Sequence, residues 1–359
     1  LKLVLKQRAV FLMRDNTPGL RARLLRLPLR LLEIPYTLVM RARNHLYDRN
    51  ILPARSLGRA TISIGNLTTG GTGKTPLVRW LAEQLHQRGW SCAILLRGYA
   101  AKDGQSDEES ELRQLLQSTN DNPTLVKAGP DRLASARAIL ADHPKINLFL
   151  LDDAFQHRRA GRDLDVVLIN AAEPFGFDHV LPRGLLREPL IGLNRADAIV
   201  LTRADAVSSA DLDAIIQTIK THNPAAPIYK SRHVITGWTD ASGNLHPADA
   251  IRNQPVHLIC GIGDPDSFGR HIRSMGANVV GSQIFPDHHA YTRHDLNIPP
   301  SSAGLLLTTE KDWVKIAPLL TPDFPTNIRR ARLELQWLDG DAEKLMALID
   351  SRLGKSRIP

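Results

Sequence analysis

The stretch from Gly65 to Pro76, Gly-Asn-Leu-Thr-Thr-Gly-Gly-Thr-Gly-Lys-Thr-Pro, has the residue types of a nucleotide-phosphate cradle. Glycines at 70, 71 and 73, with Thr72 between them, let backbone N–H groups turn toward phosphate oxygens. Lys74 would reach the β- and γ-phosphates, and the Thr75 hydroxyl would ligate Mg²⁺. The helix expected to open near Thr75 adds the positive end of its dipole. One position departs from the strict pattern, which has a glycine five residues before Gly73; this chain has Thr68. The segment therefore reads as a variant loop for ATP and Mg²⁺. A glycine-rich turn alone can be no more than a tight strand-to-helix connection, but the Gly-Lys-Thr that follows has no such explanation.

Further along, Asp152-Asp153 ends an apolar run, where carboxylates can hold Mg²⁺ directly or through its waters opposite the loop threonine. Asp107-Glu108-Glu109 reads either as a solvated acidic turn before a helix or as a second acidic group at a strand end. Pro286-Asp287-His288-His289 offers an imidazole that could take a proton, or a surface turn. In Pro182-Arg183-Gly184-Leu185-Leu186-Arg187-Glu188-Pro189, Arg187 could hold anionic oxygens or pair with Glu188. Thr308-Thr309-Glu310-Lys311-Asp312 is either a helix cap or a substrate contact.

These groups need a scaffold that gathers strand ends. Thr61–Ile64 reads as a buried strand, Pro76–Arg88 as a helix and Cys92–Leu96 as a second strand, a βαβ unit. Helical spacing at Leu112–Leu116 and Arg132–Leu140 and apolar runs at Ile146–Leu151, Val166–Ile169 and Ala198–Leu201 continue the alternation. The expected fold is α/β and P-loop NTPase-like, a mostly parallel sheet with helices on both faces and ligands at the carboxyl ends of its strands. A helix at Ala210–Lys220 is followed by the Pro-rich break at 223–227. The domains expected are a basic amphipathic arm over 1–58, a P-loop domain over 59–226, a linker or short ribbon over 227–255, and a smaller α/β domain over 256–359.

Composition is that of a globular protein, 43% hydrophobic and 23% charged, and two cysteines are too few for a disulfide framework. A reducing compartment follows. The net charge of +9 is concentrated: residues 1–60 hold 13 Lys/Arg against 3 Asp/Glu, and the remainder is close to neutral. A basic groove for nucleic acid is therefore not expected. The basic arm is also leucine-rich but has no uninterrupted apolar run of the ~20 residues needed to span a bilayer. It reads as an interfacial helix, leucines in the acyl boundary and arginines on anionic head groups, kinked or divided at Pro28 and Pro35. The bland alternative is a helix packed on the domain with its arginines in water.

Taken in order, these segments resemble the tetraacyldisaccharide 4′-kinase family. The family pattern Gly-Asn-x-x-x-Gly-Gly-x-Gly-Lys-Thr-Pro matches Gly65 to Pro76, non-glycine at Thr68 included. Arg97-Gly98-Tyr99, Asp152-Asp153-Ala154-Phe155-Gln156-His157-Arg158, Pro182 to Glu188, Asp287-His288 and Thr309-Glu310-Lys311-Asp312 match in turn. The resemblance implies phosphoryl transfer from ATP, with Mg²⁺, to the 4′-hydroxyl of a tetraacylated glucosamine disaccharide 1-phosphate in lipid A biosynthesis. It implies a lipid substrate and peripheral or monotopic attachment to the cytoplasmic face of the bacterial inner membrane; the charge distribution already argues against a nucleic-acid partner. It gives Asp107 the role of base, supported by His288 from the smaller domain. Lys74 and Asp153 act on the phosphates and metal; Thr75, Asp152 and Asp153 are metal ligands; Asn66, Glu108, Gln156, His157, Arg187 and Glu188 contact substrate. Two departures stand out. Ser106 and Glu109 replace the glycine and proline that flank the Asp-Glu pair in the family, and Ala154 replaces a glycine. The alternative function, a membrane-associated P-loop switch or partition-type ATPase, expects a second lysine where this chain has Thr69.

Overall fold

The computed structural model describes Met13 and residues 20–98, 109–110, 112–113, 116, 124–287, 289–296, 304–320 and 327–354. Contacts divide the chain into two compact units. One runs to Arg232 and resumes at Leu335, and the other is His233–Glu334.

The first unit is built on a parallel sheet of β1 (Ala60–Asn66), β2 (Cys92–Leu96), β3 (Leu125–Ala128), β4 (Leu148–Asp152), β5 (Leu164–Asn170), β6 (Ala198–Thr202) and the start of β7 (Ile228–Asp240). Their order is β3-β2-β4-β1-β5-β6-β7, every pair parallel. Side-chain alternation sends each strand's apolar residues to both faces, which is why the strands read as continuous apolar runs. Ile62, Ile64, Leu148, Leu150, Val166 and Val200 meet Leu77, Leu81 and Leu85 of helix α2 (Lys74–Gln87). On the opposite face Phe149 and Leu151 pack on Leu133 and Ile139 of α3 (Arg132–Asp142). Val167, Ile169 and Ile199 pack there on Ile215 and Ile219 of α4 (Ser209–His222).

In the second unit β9 (Pro255–Cys260), β10 (Asn278–Ile284), β11 (Leu305–Thr309) and β12 (Ile328–Trp337) form a parallel set in the order β10-β9-β11-β12. Helices α5 (Pro265–Ser274) and α6 (Glu310–Ile316) cover it through Phe268, Ile272, Trp313 and Ile316.

Within residues 227–255, expected as a linker or short ribbon, the end of β7 forms such a ribbon by pairing antiparallel with β8 (Leu245–Pro247), but residues 228–240 are one long strand and not a linker. The chain's last helix, α7 (Asp341–Gly354), was expected in the smaller domain. It lays Leu345, Met346, Ile349 and Leu353 into the core that holds Ile62 and Leu77, because the chain returns to the first unit along β12.

Helix α1 (Leu20–Asp48) belongs to the first unit and runs through Pro28 and Pro35 without dividing. Its exposed side is rich in leucine. Leu24, Leu31 and Leu38 are 60–61% exposed, with Leu25, Leu27, Leu32, Ile34 and Val39 exposed beside them. Glu33, Tyr36, Met40, Asn44 and Tyr47, spaced three or four apart, are among the partly buried ones. Among the described residues no helix is long and apolar enough to cross a membrane.

Candidate active site

The glycine loop leaves β1 at Asn66 and enters α2 at Lys74. Gly73 caps that helix at φ 83°, a left-handed conformation open to glycine at little cost. A Cβ added at Gly70 or Gly71 would meet nothing within 4 Å, so the loop's outer side is open space. The Thr72 hydroxyl oxygen is buried without a hydrogen-bond partner, while the Thr72 carbonyl accepts from Thr202 at the end of β6 at 2.9 Å. A loop with open glycines, an unsatisfied hydroxyl and a lysine and threonine at the first helical positions fits nucleotide phosphates.

Thr68, which breaks the strict pattern, and its neighbour Thr69 have a structural task. Thr68 bridges to Leu186, and the Thr69 N–H donates to the Leu185 carbonyl at 2.7 Å. The loop is thus stitched to Pro182–Glu188, a long-range pairing that leaves no local signal in sequence.

β1 and β4 are neighbours, with Ile64 opposite Asp152, so the glycine loop and the Asp152-Asp153 pair emerge side by side. Their closeness requires Gly65, where a Cβ would stand 2.6 Å from Phe155 Cβ and 2.7 Å from its nitrogen. Asp153 sits at φ 50°, turning its carboxylate to Lys74 Nζ at 3.3 Å and Arg187 Nη1 at 2.8 Å. Burial alone would raise its pKa, but the Lys74 and Arg187 charges outweigh that and hold the carboxyl below its ordinary value. Lys74 also donates to Asn66 Oδ1 at 3.2 Å. The buried Arg132 guanidinium donates to the Asp152 carbonyl at 2.8 Å, bracing the strand end. Two carboxylates beside a hydroxyl-bearing loop are a donor set suited to Mg²⁺.

Other expected site residues surround this centre. Gln156 donates to the Asn66 carbonyl at 2.9 Å and to Glu188 at 3.0 Å. Glu188 is fully buried, its carboxylate also held by Arg195 at 2.9 Å and Asn44 at 2.7 Å. His157 is half-buried among Arg132, Arg162, Arg43 and Arg97; burial first, then those charges, push its pKa down to about 4. Glu109 accepts from Arg113 at 2.6 Å and from the Ala128 N–H at 3.2 Å. Asp107, Glu108 and His288 lie outside the described residues. In the second unit, Asp287 takes Lys311 Nζ at 2.8 Å, and Thr309 caps α6 through the Asp312 N–H. Thus Asn66, Lys74, Asp152, Asp153, Gln156, Arg187 and Glu188 come together at one strand edge of the first unit.

Sequence reasoning passed over Tyr36, Asn44, Arg132 and Arg195. Tyr36 Oη donates to the Arg187 carbonyl at 2.9 Å, and Arg195 also lies 4.5 Å over the Phe155 ring. None has a local motif; each acts across more than a local stretch of chain.

The model of the tetraacyldisaccharide-1-P 4′-kinase family matches residues 25–354. A tetraacyldisaccharide 4′-kinase of Anaeromyxobacter dehalogenans (strain 2CP-1 / ATCC BAA-258) is 36% identical over 356 residues, 94% of this chain and 93% of that protein. One from Halothermothrix orenii is 32% identical over 322 residues, 80% of this chain and 82% of its own length. The crystal structure of LpxK from Aquifex aeolicus in complex with ATP is similar with a TM-score of 0.72 and 28% identity, covering 91% of this chain and 99% of that one.

Proposed function

The chain belongs to the tetraacyldisaccharide-1-phosphate 4′-kinase family, and from that premise we propose how its residues divide the transfer of a phosphoryl group from ATP to the 4′-hydroxyl of an acylated disaccharide. The protein is an ATP-dependent lipid kinase of lipid A biosynthesis.

The observation that carries the assignment is Asp153 held by Lys74 and Arg187 beside the glycine loop. Lys74 and the N–H groups of residues 70–73 take up charge on the nucleotide phosphates. Thr75, Asp152 and Asp153 would hold Mg²⁺, which when bound would supply positive charge to the phosphates. Arg187 faces the negative charge that spreads over the transferring group. Asp107, supported by His288, accepts the proton of the 4′-hydroxyl as its oxygen bonds to phosphorus and ADP departs. Because phosphoryl transfer passes through a loose transition state, positioning and electrostatics supply most of the acceleration. Asn66, Gln156, His157, Glu188 and Glu108 shape the acceptor side. The first unit carries the nucleotide chemistry in this reading.

Helix α1 supports contact with a membrane surface. Leu24, Leu31, Leu38 and Val39 face outward with Arg30 and Arg41 exposed beside them, while Glu33, Tyr36 and Asn44 find partners in the first unit, an arrangement that suits an anionic lipid boundary. The proposed location is the cytoplasmic face of the inner membrane.

Incubation with γ-labelled ATP and tetraacyldisaccharide 1-phosphate in detergent micelles tests the reading. Label in a chloroform-soluble product is the expected result; release of free phosphate alone would sink it and restore the switch-type ATPase.

A further inference from the structure

Arg187 is pinned from three elements. Its N–H donates to the Leu67 carbonyl at 2.7 Å, at the start of the glycine loop. Its carbonyl accepts from Tyr36 Oη at 2.9 Å, and its guanidinium holds Asp153. The next residue, Glu188, accepts from Asn44 at 2.7 Å. Tyr36 and Asn44 lie on α1, on the side away from the exposed Leu24, Leu31 and Leu38.

We propose that Tyr36, together with Asn44, is a positioning residue for phosphoryl transfer, fixing the backbone from which Arg187 reaches Asp153. The helix whose outer face is apolar is, on its inner face, part of the active site's framework. This rests on the reading of Arg187 and Asp153 as phosphoryl-transfer groups. Neither Tyr36 nor Asn44 touches the reacting atoms; they act through the loop they hold. Displacement of a supporting group by about 1 Å can cost up to ~10²-fold in rate. Since Leu67 still tethers the loop, a fractional loss is expected when one bond goes.

Tyr36→Phe keeps the ring in its apolar contacts with the first unit's core and removes only the hydroxyl. Expected is a fall in kcat of roughly 10-fold, with KM for ATP and co-sedimentation with anionic phospholipid vesicles unchanged. Amide hydrogen exchange over residues 185–188 should rise in the lipid-free protein. In an Arg187→Ala background, Tyr36→Phe should add no further loss, since both act on one contact. Asn44→Ser gives a second variant that leaves Tyr36 intact and should show the same split between kcat and KM. Wild-type kcat and exchange in both variants would overturn the proposal. So would a loss that adds in full to that of Arg187→Ala, or one that follows vesicle binding. A wild-type enzyme that labels no lipid would instead defeat the kinase reading.

Discussion

One guanidinium nitrogen of Arg187 stands 2.8 Å and 2.9 Å from the two carboxylate oxygens of Asp153. The same carboxylate meets Lys74 at 3.3 Å, so two fixed cations share one anion at the mouth of the glycine loop. Arg187→Ala should lower turnover by about 10²-fold, the usual cost of losing one preorganised donor. Steady-state kinetics with lipid acceptor should show a much smaller change in KM for ATP.

Asp107→Ala tests the proton acceptor. Removing a general base typically costs ~10²–10⁴-fold in rate. Nucleotide affinity, measured by calorimetric titration, should stay near wild type, because no loop N–H or lysine is touched. Collapse of nucleotide binding would show that Asp107 serves the phosphates instead.

Gly65→Ala tests the close approach of β1 to the segment after β4. The new methyl would stand 2.6 Å from Phe155 Cβ and 2.7 Å from its backbone nitrogen. Overpacking of this kind costs on the order of 1–3 kcal/mol. Urea unfolding should show that loss of stability, and nucleotide affinity should fall with it as the loop and the aspartates are forced apart.

The depressed pKa of His157, about 4, makes a statement about acid stability. Burial and the charges of Arg132, Arg162, Arg43 and Arg97 disfavour its protonated form in the folded state. An unfolded chain protonates the ring near ~6.5. This histidine therefore costs nothing above that pH and favours unfolding progressively as pH falls from ~6.5 toward about 4. His157→Gln should flatten that part of the stability profile, and the ring's NMR signals should remain those of neutral imidazole at pH 5.5.

Leu31 and Leu38 are 61% and 60% exposed on α1. Replacing either by Glu should leave thermal unfolding unchanged while weakening vesicle co-sedimentation by roughly 10-fold or more, since a buried leucine side chain is worth about 1.5–3 kcal/mol. Undiminished vesicle binding in the double variant would remove the lipid-facing role from this helix.

Much of the nucleotide side is legible from residue order. A βαβ unit with Gly70, Gly71, Gly73 and Lys74 at its turn, and Asp152 closing a later apolar run, becomes a single site because β1 and β4 are adjacent. What escapes local reading is long-range. Thr68 looks like a defect until it bridges Leu186. Glu188, expected at the substrate, also serves as a buried hub for Asn44, Gln156 and Arg195. Strand β7 passes for a linker because its alternation is interrupted by Gly237 and by partly buried polar residues. The inward face of α1 carries Glu33, Tyr36 and Asn44, polar types that suggest solvent unless their partners on other elements are known.

The return of α7 to the first unit has a consequence for biosynthesis. Ile62, Ile64 and Leu77 leave the ribosome early, but Leu345, Met346, Ile349 and Leu353, which share their core, are made almost last. The core around the phosphate-loop strand, already faced by Leu77, Leu81 and Leu85 of α2, is therefore completed only after translation of the whole inserted unit His233–Glu334. Nascent chains stalled before residue 341 would lack Leu345, Met346, Ile349 and Leu353 and leave that core incomplete, with apolar surface exposed.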